Sequence, residues 1–325
     1  MKIESRVLLT GANGFVGKQL NSVIINTYQV LSAVRDKRSV SFGECVKIPD
    51  IDKNTQWGNA LSGVHCIIHC AARVHIMNDD SSDPLSEFRA VNTEGTLNLA
   101  RQAAKTGVKR FIFLSSIKVN GESTSGRQSF TAFDTRSPED PYGQSKAEAE
   151  EQLLELGKQT GMEIVIIRPT LVYGPGVKAN FASLMSLVAK GISLPFGRIT
   201  NNKRSLVSVD NLVDLIITCI DHPKAANQVF LVSDDHDVST SEMVREMAIA
   251  LGKPSWQLPV PIWCYNLAGK LFNKSDIVDR LVGSLQVDIS HTKETLGWSP
   301  PQTLQEGFNK TALAFLNSKQ NIGKS

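Results

Sequence analysis

No strong charge of either sign marks this chain. Its 325 residues carry 35 Lys and Arg against 32 Asp and Glu, a net charge of +3. So small an imbalance argues against a nucleic-acid partner or a polybasic membrane surface, and leaves an anionic small molecule unopposed. The cysteines Cys45, Cys66, Cys70, Cys219 and Cys264 are odd in number and show no paired metal-ligand spacing. That excludes a disulfide framework and predicts reduced, buried thiols with no metal. The opening residues, Met1-Lys2-Ile3-Glu4-Ser5-Arg6, lack the apolar stretch of a signal peptide. Bilayer-spanning runs are missing too: the most apolar late segment, 256–272, is broken by prolines, Asn266 and Lys270. With no internal repeat and no low-complexity segment, the expectation is a cytoplasmic globular protein without membrane insertion.

What is present is alternation. Short apolar runs at residues 7–9, 29–35, 45–48, 65–71, 110–116 and 163–168 read as strands. Helical patterns fall between several of them, at 15–25, at 84–105 closed by Gly107, and at 142–159. Strands apolar along their whole length suit a sheet covered on both faces, and strand-helix alternation is the mark of a parallel sheet. The expected fold is therefore α/β: a doubly wound parallel sheet of Rossmann type, with a smaller, mostly C-terminal α/β substrate domain. The boundary is placed at residue 170, giving a dinucleotide-binding domain of 1–170 and a substrate-binding portion of 171–325. A further strand at 228–232 is expected to return to the main sheet, near 228–234. Residues 121–136, rich in Ser, Thr and Gly, read as the most mobile loop.

Between the first strand and the first helix stands Thr10-Gly11-Ala12-Asn13-Gly14-Phe15-Val16-Gly17. In this context Gly11 permits a tight turn, Gly14 lets a pyrophosphate approach the backbone, and Gly17 packs helix on strand. Anionic phosphate then meets unpaired N–H groups at the positive end of the helix dipole. Gly11, Asn13, Gly14, Phe15, Val16 and Gly17 are the candidate pyrophosphate-binding residues. The second strand ends in Ala33-Val34-Arg35-Asp36-Lys37-Arg38. Arg35, with Arg38 as helper, suits a ribose 2′-phosphate and favours NADP(H) over NAD(H), although Asp36 keeps NAD open. Asp50 and Ile51, after the third strand, are candidates for the adenine side, with a surface turn as the alternative.

Ser115-Ser116 closes the fifth strand, at the carboxyl edge where ligands bind in open α/β sheets. Tyr142 and Lys146 stand four residues apart at the start of a helix and so share a face. A phenol with its ordinary pKa of about 10 is a poor base near neutrality. A neighbouring ammonium and a cationic nicotinamide favour the phenolate, and in reverse the tyrosine can protonate a reduced carbonyl. A serine hydroxyl at the strand end can orient that carbonyl.

With these motifs in order, the sequence resembles the extended short-chain dehydrogenase/reductase superfamily, the nucleotide-sugar epimerases, dehydratases and reductases. The likeness spans nearly the whole chain. It rests on residues 10–17, His69-Cys70-Ala71-Ala72, Val91-Asn92-Thr93-Glu94-Gly95-Thr96, Leu114-Ser115-Ser116, Tyr142 to Lys146, Arg168-Pro169-Thr170 and Tyr173-Gly174-Pro175. The resemblance implies that Ser116 contributes the hydroxyl, Tyr142 is the acid/base and Lys146 is its partner and ribose ligand. Ser116 is preferred over Ser115 because it precedes Gly121 by five residues, as in the family's Ser/Thr-x-x-Val-Tyr-Gly, although Asn120 replaces the usual tyrosine. It further implies cofactor contacts at Ala71, Ala72, Asn92 and Pro169, and UDP-sugar contacts at Asn180, Phe196, Arg204 and Arg280. A homodimer through the helix carrying Tyr142 and the 84–105 helix is also implied.

The dehydratases of this superfamily carry Asp-Glu directly after the Ser/Thr, where this chain has Ile117-Lys118, so dehydration is not expected. Reduction and epimerisation remain. The strings Ser116-Ile117-Lys118-Val119-Asn120-Gly121-Glu122 and Asp140-Pro141-Tyr142-Gly143-Gln144-Ser145-Lys146 look most like those of bacterial reductases that make UDP-N-acetylquinovosamine. The expectation is NADP(H)-dependent reduction of the C4 ketone of a UDP-2-acetamido-2,6-dideoxy-hexos-4-ulose for surface-polysaccharide synthesis. The alternative is an NAD-dependent UDP-hexose or UDP-N-acetylhexosamine 4-epimerase.

Overall fold

The computed structural model describes residues 5–36, 43–74 and 83–322, so Arg38 lies outside the described residues. Seven parallel strands form the main sheet: β1 (Arg6–Thr10), β2 (Gln29–Val34), β3 (Glu44–Lys47), β4 (Val64–His69), β5 (Arg110–Leu114), β6 (Glu163–Pro169) and β9 (Gln228–Val232). Their order is β3-β2-β1-β4-β5-β6-β9. A second sheet of three short strands joins β7 (Leu171–Tyr173), β8 (Arg204–Ser208) and β10 (Asp237–Val238).

The strands sort their side chains by the two-residue period. Val7 and Leu9 of β1 face α1 (Phe15–Ile24) and α6 (Val209–Asp221), in one apolar cluster with Leu20, Ile24, Leu212 and Ile216. Leu8, between them, faces α3 (Thr96–Lys105) and α4 (Pro141–Thr160), clustered with Leu97, Ala100, Ala149 and Leu153. Both faces of the sheet are therefore covered, which is why its strands are apolar throughout. This is the doubly wound α/β fold that the alternation predicts.

The 84–105 helix is not continuous. α2 (Pro84–Phe88) is followed by a π-helical stretch, Arg89–Gly95, before α3 resumes. The capping arithmetic at its start is ordinary, with Asp83 accepting from the Ser86 N–H and Pro84 in the first turn. The wide turn seats Asn92 and Gly95, and a Cβ at Gly95 would lie 2.7 Å from the Ile51 carbonyl. A close approach of this kind is invisible to a hydrophobic pattern.

Beyond the main sheet, a third apolar cluster forms the smaller unit. It joins α5 (Ala179–Ala189), α7 (Thr240–Ala250) and α11 (Leu304–Ile322) through Tyr173, Phe181, Met185, Met247 and Phe308. Three further helices, α8 (Ile262–Leu271), α9 (Ser275–Val282) and α10 (Ser290–Leu296), complete this half. Residues 121–136, expected to be the loosest loop, are instead tied down. Phe130 is buried and exchanges backbone hydrogen bonds with Gln286 and Asp288, while the Thr124 N–H donates to Ser284. Phe130, the buried one of two phenylalanines in this polar loop, supplies the anchor. Among the described residues, no helix is long and apolar enough to cross a membrane.

Candidate active site

The turn after β1 is shaped by close contacts at its glycines. Gly11 has φ +71° and faces the Cys70–Ala71 backbone at the end of β4, where a Cβ would come within 2.7 Å of the Ala71 nitrogen. A Cβ on Gly17 would stand 2.1 Å from the Gly11 carbonyl, so only glycine lets α1 rise this close to the turn. The N-terminus of α1 has Gly14 at its cap, no side-chain cap and no acidic residue in its first turn. The first-turn donors of Phe15, Val16 and Gly17 are thus left to an anionic ligand by their own helix. This arrangement fits the pyrophosphate of a dinucleotide.

A buried histidine braces the turn from below. His69 Nδ1 shares a 2.8 Å hydrogen bond with Thr10 Oγ1, and its Nε2 shares one of 2.9 Å with Thr96 Oγ1. Burial, with the Lys146 charge nearby, pushes its pKa down to about 3, so it is neutral at working pH. Ala71 and Ala72 follow β4 beside the glycine turn, and the Ala71 N–H donates to Thr10 Oγ1 at 3.3 Å. Asn92 is buried: its amide donates to Ser145 Oγ and to the Arg73 carbonyl, each at 3.0 Å, and its oxygen accepts from the Arg73 N–H. It thereby links the π turn to α4. Pro169 ends β6 on the same carboxyl edge of the sheet. Arg35 and Asp50 are exposed, past the ends of β2 and β3, and Ile51 packs its carbonyl against Gly95.

The catalytic candidates converge where β5 meets α4. Ser116 caps a short 3-10 turn, accepting from the Lys118 N–H at 3.3 Å, and stays partly exposed. Ser115 points the other way, donating to buried Glu150 at 2.6 Å. The orientation therefore selects Ser116 as the hydroxyl available to a ligand. α4 opens with Asp140 capping the Gly143 N–H and Pro141 in its first turn, which fixes Tyr142 at the mouth. Gly143 is pressed against the Lys118 carbonyl of that 3-10 turn, so the two segments are in contact. Lys146 is buried; its Nζ donates to the Leu114 carbonyl at 2.8 Å and lies 4.3 Å from the Phe113 ring centroid.

The electrostatics differ from the sequence expectation in one respect. Burial lowers the Lys146 pKa to about 7, with Cys70 and Glu150 pulling it back up. The Tyr142 phenol is not eased toward ionisation; burial, and then the Asp140 carboxylate, hold it above its ordinary value. Burial works against ionisation at both groups, so the phenol is held in its neutral form while the lysine is pushed toward its own.

Beneath these residues lies a buried ionic network that the sequence reading passed over. Glu150 accepts from Ser115, from the Arg168 guanidinium at Nε and Nη2, and from Arg136 Nε at 3.0 Å. Arg168 Nη1 completes it by donating to Asn120 Oδ1 at 2.9 Å, which explains the polar residue at that loop position. The signal was available: Glu150 falls four residues after Lys146 and eight after Tyr142, on the same face of α4.

The substrate-side candidates are more scattered. Asn180 is exposed in the first turn of α5, while Phe181 is buried against Tyr173 and Phe308. Phe196 is half-buried and stacked on Tyr265, with ring centroids 6.5 Å apart. Arg204 donates to the Arg280 carbonyl at 2.9 Å and to that of Gly283 at 3.3 Å, and Arg280 lies 3.8 Å from Glu122. Arg204 thus closes the C-terminus of α9 and has protein acceptors of its own.

A nucleotide-binding turn and a Ser-Tyr-Lys set on one edge of a doubly wound sheet define an extended short-chain dehydrogenase/reductase. The profile of the NAD dependent epimerase/dehydratase family matches residues 7–233, and the chain belongs to that family. It is 64% identical to the UDP-glucose 4-epimerase of Vibrio cholerae over 319 residues, covering 98% of this chain and 97% of that one. It is 30% identical to the N-acetyl-alpha-D-glucosaminyl-diphospho-ditrans,octacis-undecaprenol 4-epimerase of Escherichia coli O157:H7, covering 95% of each. Among solved structures, the UDP-glucose 4-epimerase of Thermotoga maritima with UDP-glucose superimposes with a TM-score of 0.76 at 20% identity. The match covers 97% of this chain and 99% of that one, and shows the fold.

These similarities overturn the expected net reduction of a 4-keto sugar. The end-to-end relative at 64% identity is an epimerase, and the alternative reading fits better. The error has a physical source. Ile117 and Lys118 exclude the dehydratase acid and base, but serine, tyrosine and lysine serve reduction and epimerisation alike. The expectation of reduction rests on the likeness of residues 116–122 and 140–146 to reductases, strings built around those shared residues, and on Arg35, an exposed cation whose position speaks only to a 2′-phosphate.

Proposed function

We propose that this chain is a UDP-hexose 4-epimerase, inverting C4 of a UDP-glucose-type substrate. The observation that carries this reading is the 64% identity, over nearly the full length of both chains, to the Vibrio cholerae UDP-glucose 4-epimerase. The glycine turn and uncapped first turn of α1 would hold the pyrophosphate of NAD, with Asn13, Gly14, Phe15, Val16 and Gly17 around it. When bound, NAD supplies a reversible hydride acceptor for C4. Tyr142 takes the proton of the 4-hydroxyl as that carbon becomes a ketone, and returns it when the alcohol re-forms. Ser116 orients the C4 oxygen, and Lys146, bonded to the Leu114 carbonyl, fixes the floor of the site. Burial and Asp140 raise the Tyr142 pKa, and the positive charge of an oxidised nicotinamide would favour its phenolate. Residues 1–170, with the return strand, form the cofactor half in this reading, and 171–325 the sugar-nucleotide half, including Asn180 and Phe196. A second copy is expected to pair through α4 and the 84–105 segment.

Arg35 favours a second reading for the cofactor alone, NADP(H), because an exposed guanidinium at the end of β2 suits a 2′-phosphate. The test of the main reading is incubation of the purified protein with UDP-galactose and no added reductant, followed by NMR. UDP-glucose should accumulate to an equilibrium mixture with its C4 hydrogen retained. No interconversion of UDP-glucose, UDP-galactose or their N-acetylated counterparts would rule the reading out.

A further inference from the structure

Lys118 stands two residues after Ser116, in the 3-10 turn Ile117–Val119, and touches both catalytic elements. Its N–H donates to Ser116 Oγ at 3.3 Å. Its carbonyl meets Gly143 of α4, where a Cβ would stand 2.9 Å away. The side chain then crosses to the start of that helix. Nζ donates to Asp140 Oδ2 at 2.5 Å and to Glu122 Oε1 at 2.8 Å. Asp140 Oδ1 is already taken by the Gly143 N–H at 2.6 Å. The N-cap carboxylate of α4 thus has one oxygen on its helix and the other on a lysine of the serine turn.

Capping alone does not require a charge, since asparagine or serine serves as well as aspartate. The charge matters two residues on. After burial, the Asp140 carboxylate is the influence that holds the Tyr142 phenol above its ordinary value. An anion opposes the ionisation of a neighbouring phenol, and a cation in contact with that anion weakens its field. The other charged groups around the phenol are engaged elsewhere. On its own helix, Lys146 is buried and bonded to the Leu114 carbonyl of β5. Just past β4, Cys70 stays a thiol, its pKa pushed up to about 12 by burial. From α2, Phe88 packs on the tyrosine ring, and the charges behind it are paired, Arg73 with Glu87 and Arg89 with Glu148. Arg280 of α9 lies 3.8 Å from Glu122, so Glu122 has a second cation while Lys118 serves Asp140. We propose that Lys118 is a positioning residue for the proton carrier: it shields Tyr142 from the N-cap charge and fixes α4 against the Ser116 turn. This deepens, and rests on, the proton-carrying role proposed for Tyr142.

The experiment follows Tyr142 ionisation in the full chain with NAD bound, by the ultraviolet absorbance of phenolate against pH. Each protein is compared with its Tyr142→Phe counterpart, which cancels Tyr28, Tyr173 and Tyr265. Lys118→Met should move the midpoint upward by about half a pH unit or more, and Lys118→Arg should restore it. Asp140→Asn keeps a good cap and should move the midpoint downward. In that background Lys118→Met should add little, because the charge it uncovers is gone. An unmoved midpoint, even beside a lowered melting temperature, would overturn the proposal and leave Lys118 a structural clip. An equal upward shift with and without Asp140 would overturn it too. The readout needs no sugar. A shift without UDP-hexose interconversion would support the shielding and defeat the proposed reaction; interconversion with an unmoved midpoint would do the reverse.

Discussion

The Arg168 guanidinium on β6 grips both carboxylate oxygens of Glu150, which stands one turn beyond Lys146 on α4. Both side chains are essentially inaccessible to water. Removing one partner leaves a buried charge uncompensated, which costs ~3–5 kcal/mol. Glu150→Ala should therefore lower unfolding stability by that amount in urea titration and loosen Ser115 beside Ser116. Replacing Glu150 and Arg168 together with methionine should recover part of the loss, because the desolvation penalty of both ions disappears. A loss in the double variant equal to the sum of the two singles would refute the coupling.

Tyr142→Phe removes the only atom the proposed proton transfer uses and leaves the ring in contact with Phe88. General acid/base contributions run to ~10²–10⁴-fold, so turnover should fall in that range. Binding of NAD, followed by nicotinamide fluorescence or calorimetry, should change little, because the glycine turn is untouched. Rates within a few-fold of the parent would remove Tyr142 from its role.

Lys146 makes a prediction about stability and pH. Burial depresses its folded pKa to about 7 from the ordinary lysine value of 10.5, so between these values the unfolded chain holds a proton that the folded protein has lost. Stability of the cofactor-free protein should therefore rise with pH across that window, by up to about 1.4 kcal/mol per unit from this group. Lys146→Met should lack that contribution and be relatively more stable at pH 7 than at pH 10, measured as the difference between paired urea titrations. Parallel curves for the two proteins would mean that Lys146 stays protonated in its pocket.

Uninterrupted apolar runs made the main sheet legible, because burial on both faces leaves no other residue type at Val7, Leu8 and Leu9. The glycine turn and the Tyr142–Lys146 pair were legible because each needs a fixed spacing. The π turn at Arg89–Gly95 was not, since its cause is a tertiary approach between Gly95 and the Ile51 backbone. Spacing puts Glu150 on the face of Tyr142 and Lys146, but its partnership with Arg168, 18 positions away, forms only when α4 packs on β6. The reaction itself was misread for a related reason: the residues that choose between reduction and epimerisation are not the ones that carry out proton transfer.

Arg35 turns that misreading into a test. The residue is exposed at the end of β2, next to the strand that feeds the glycine turn, and β1 and β2 pair in register up to Thr10 and Ala33. If Arg35 faces a 2′-phosphate, Arg35→Ala should weaken NADPH binding by about tenfold or more, the scale of one lost charge-assisted contact, and spare NADH. An epimerase returning the same hydride needs a retained cofactor and no 2′-phosphate. The expected result is that acid-released cofactor from the parent protein is NAD by mass, and that Arg35→Ala epimerises at the parental rate. Recovery of NADP, with turnover that requires added NADPH, would instead make Arg35 the specificity determinant and exclude a hydride-returning cycle.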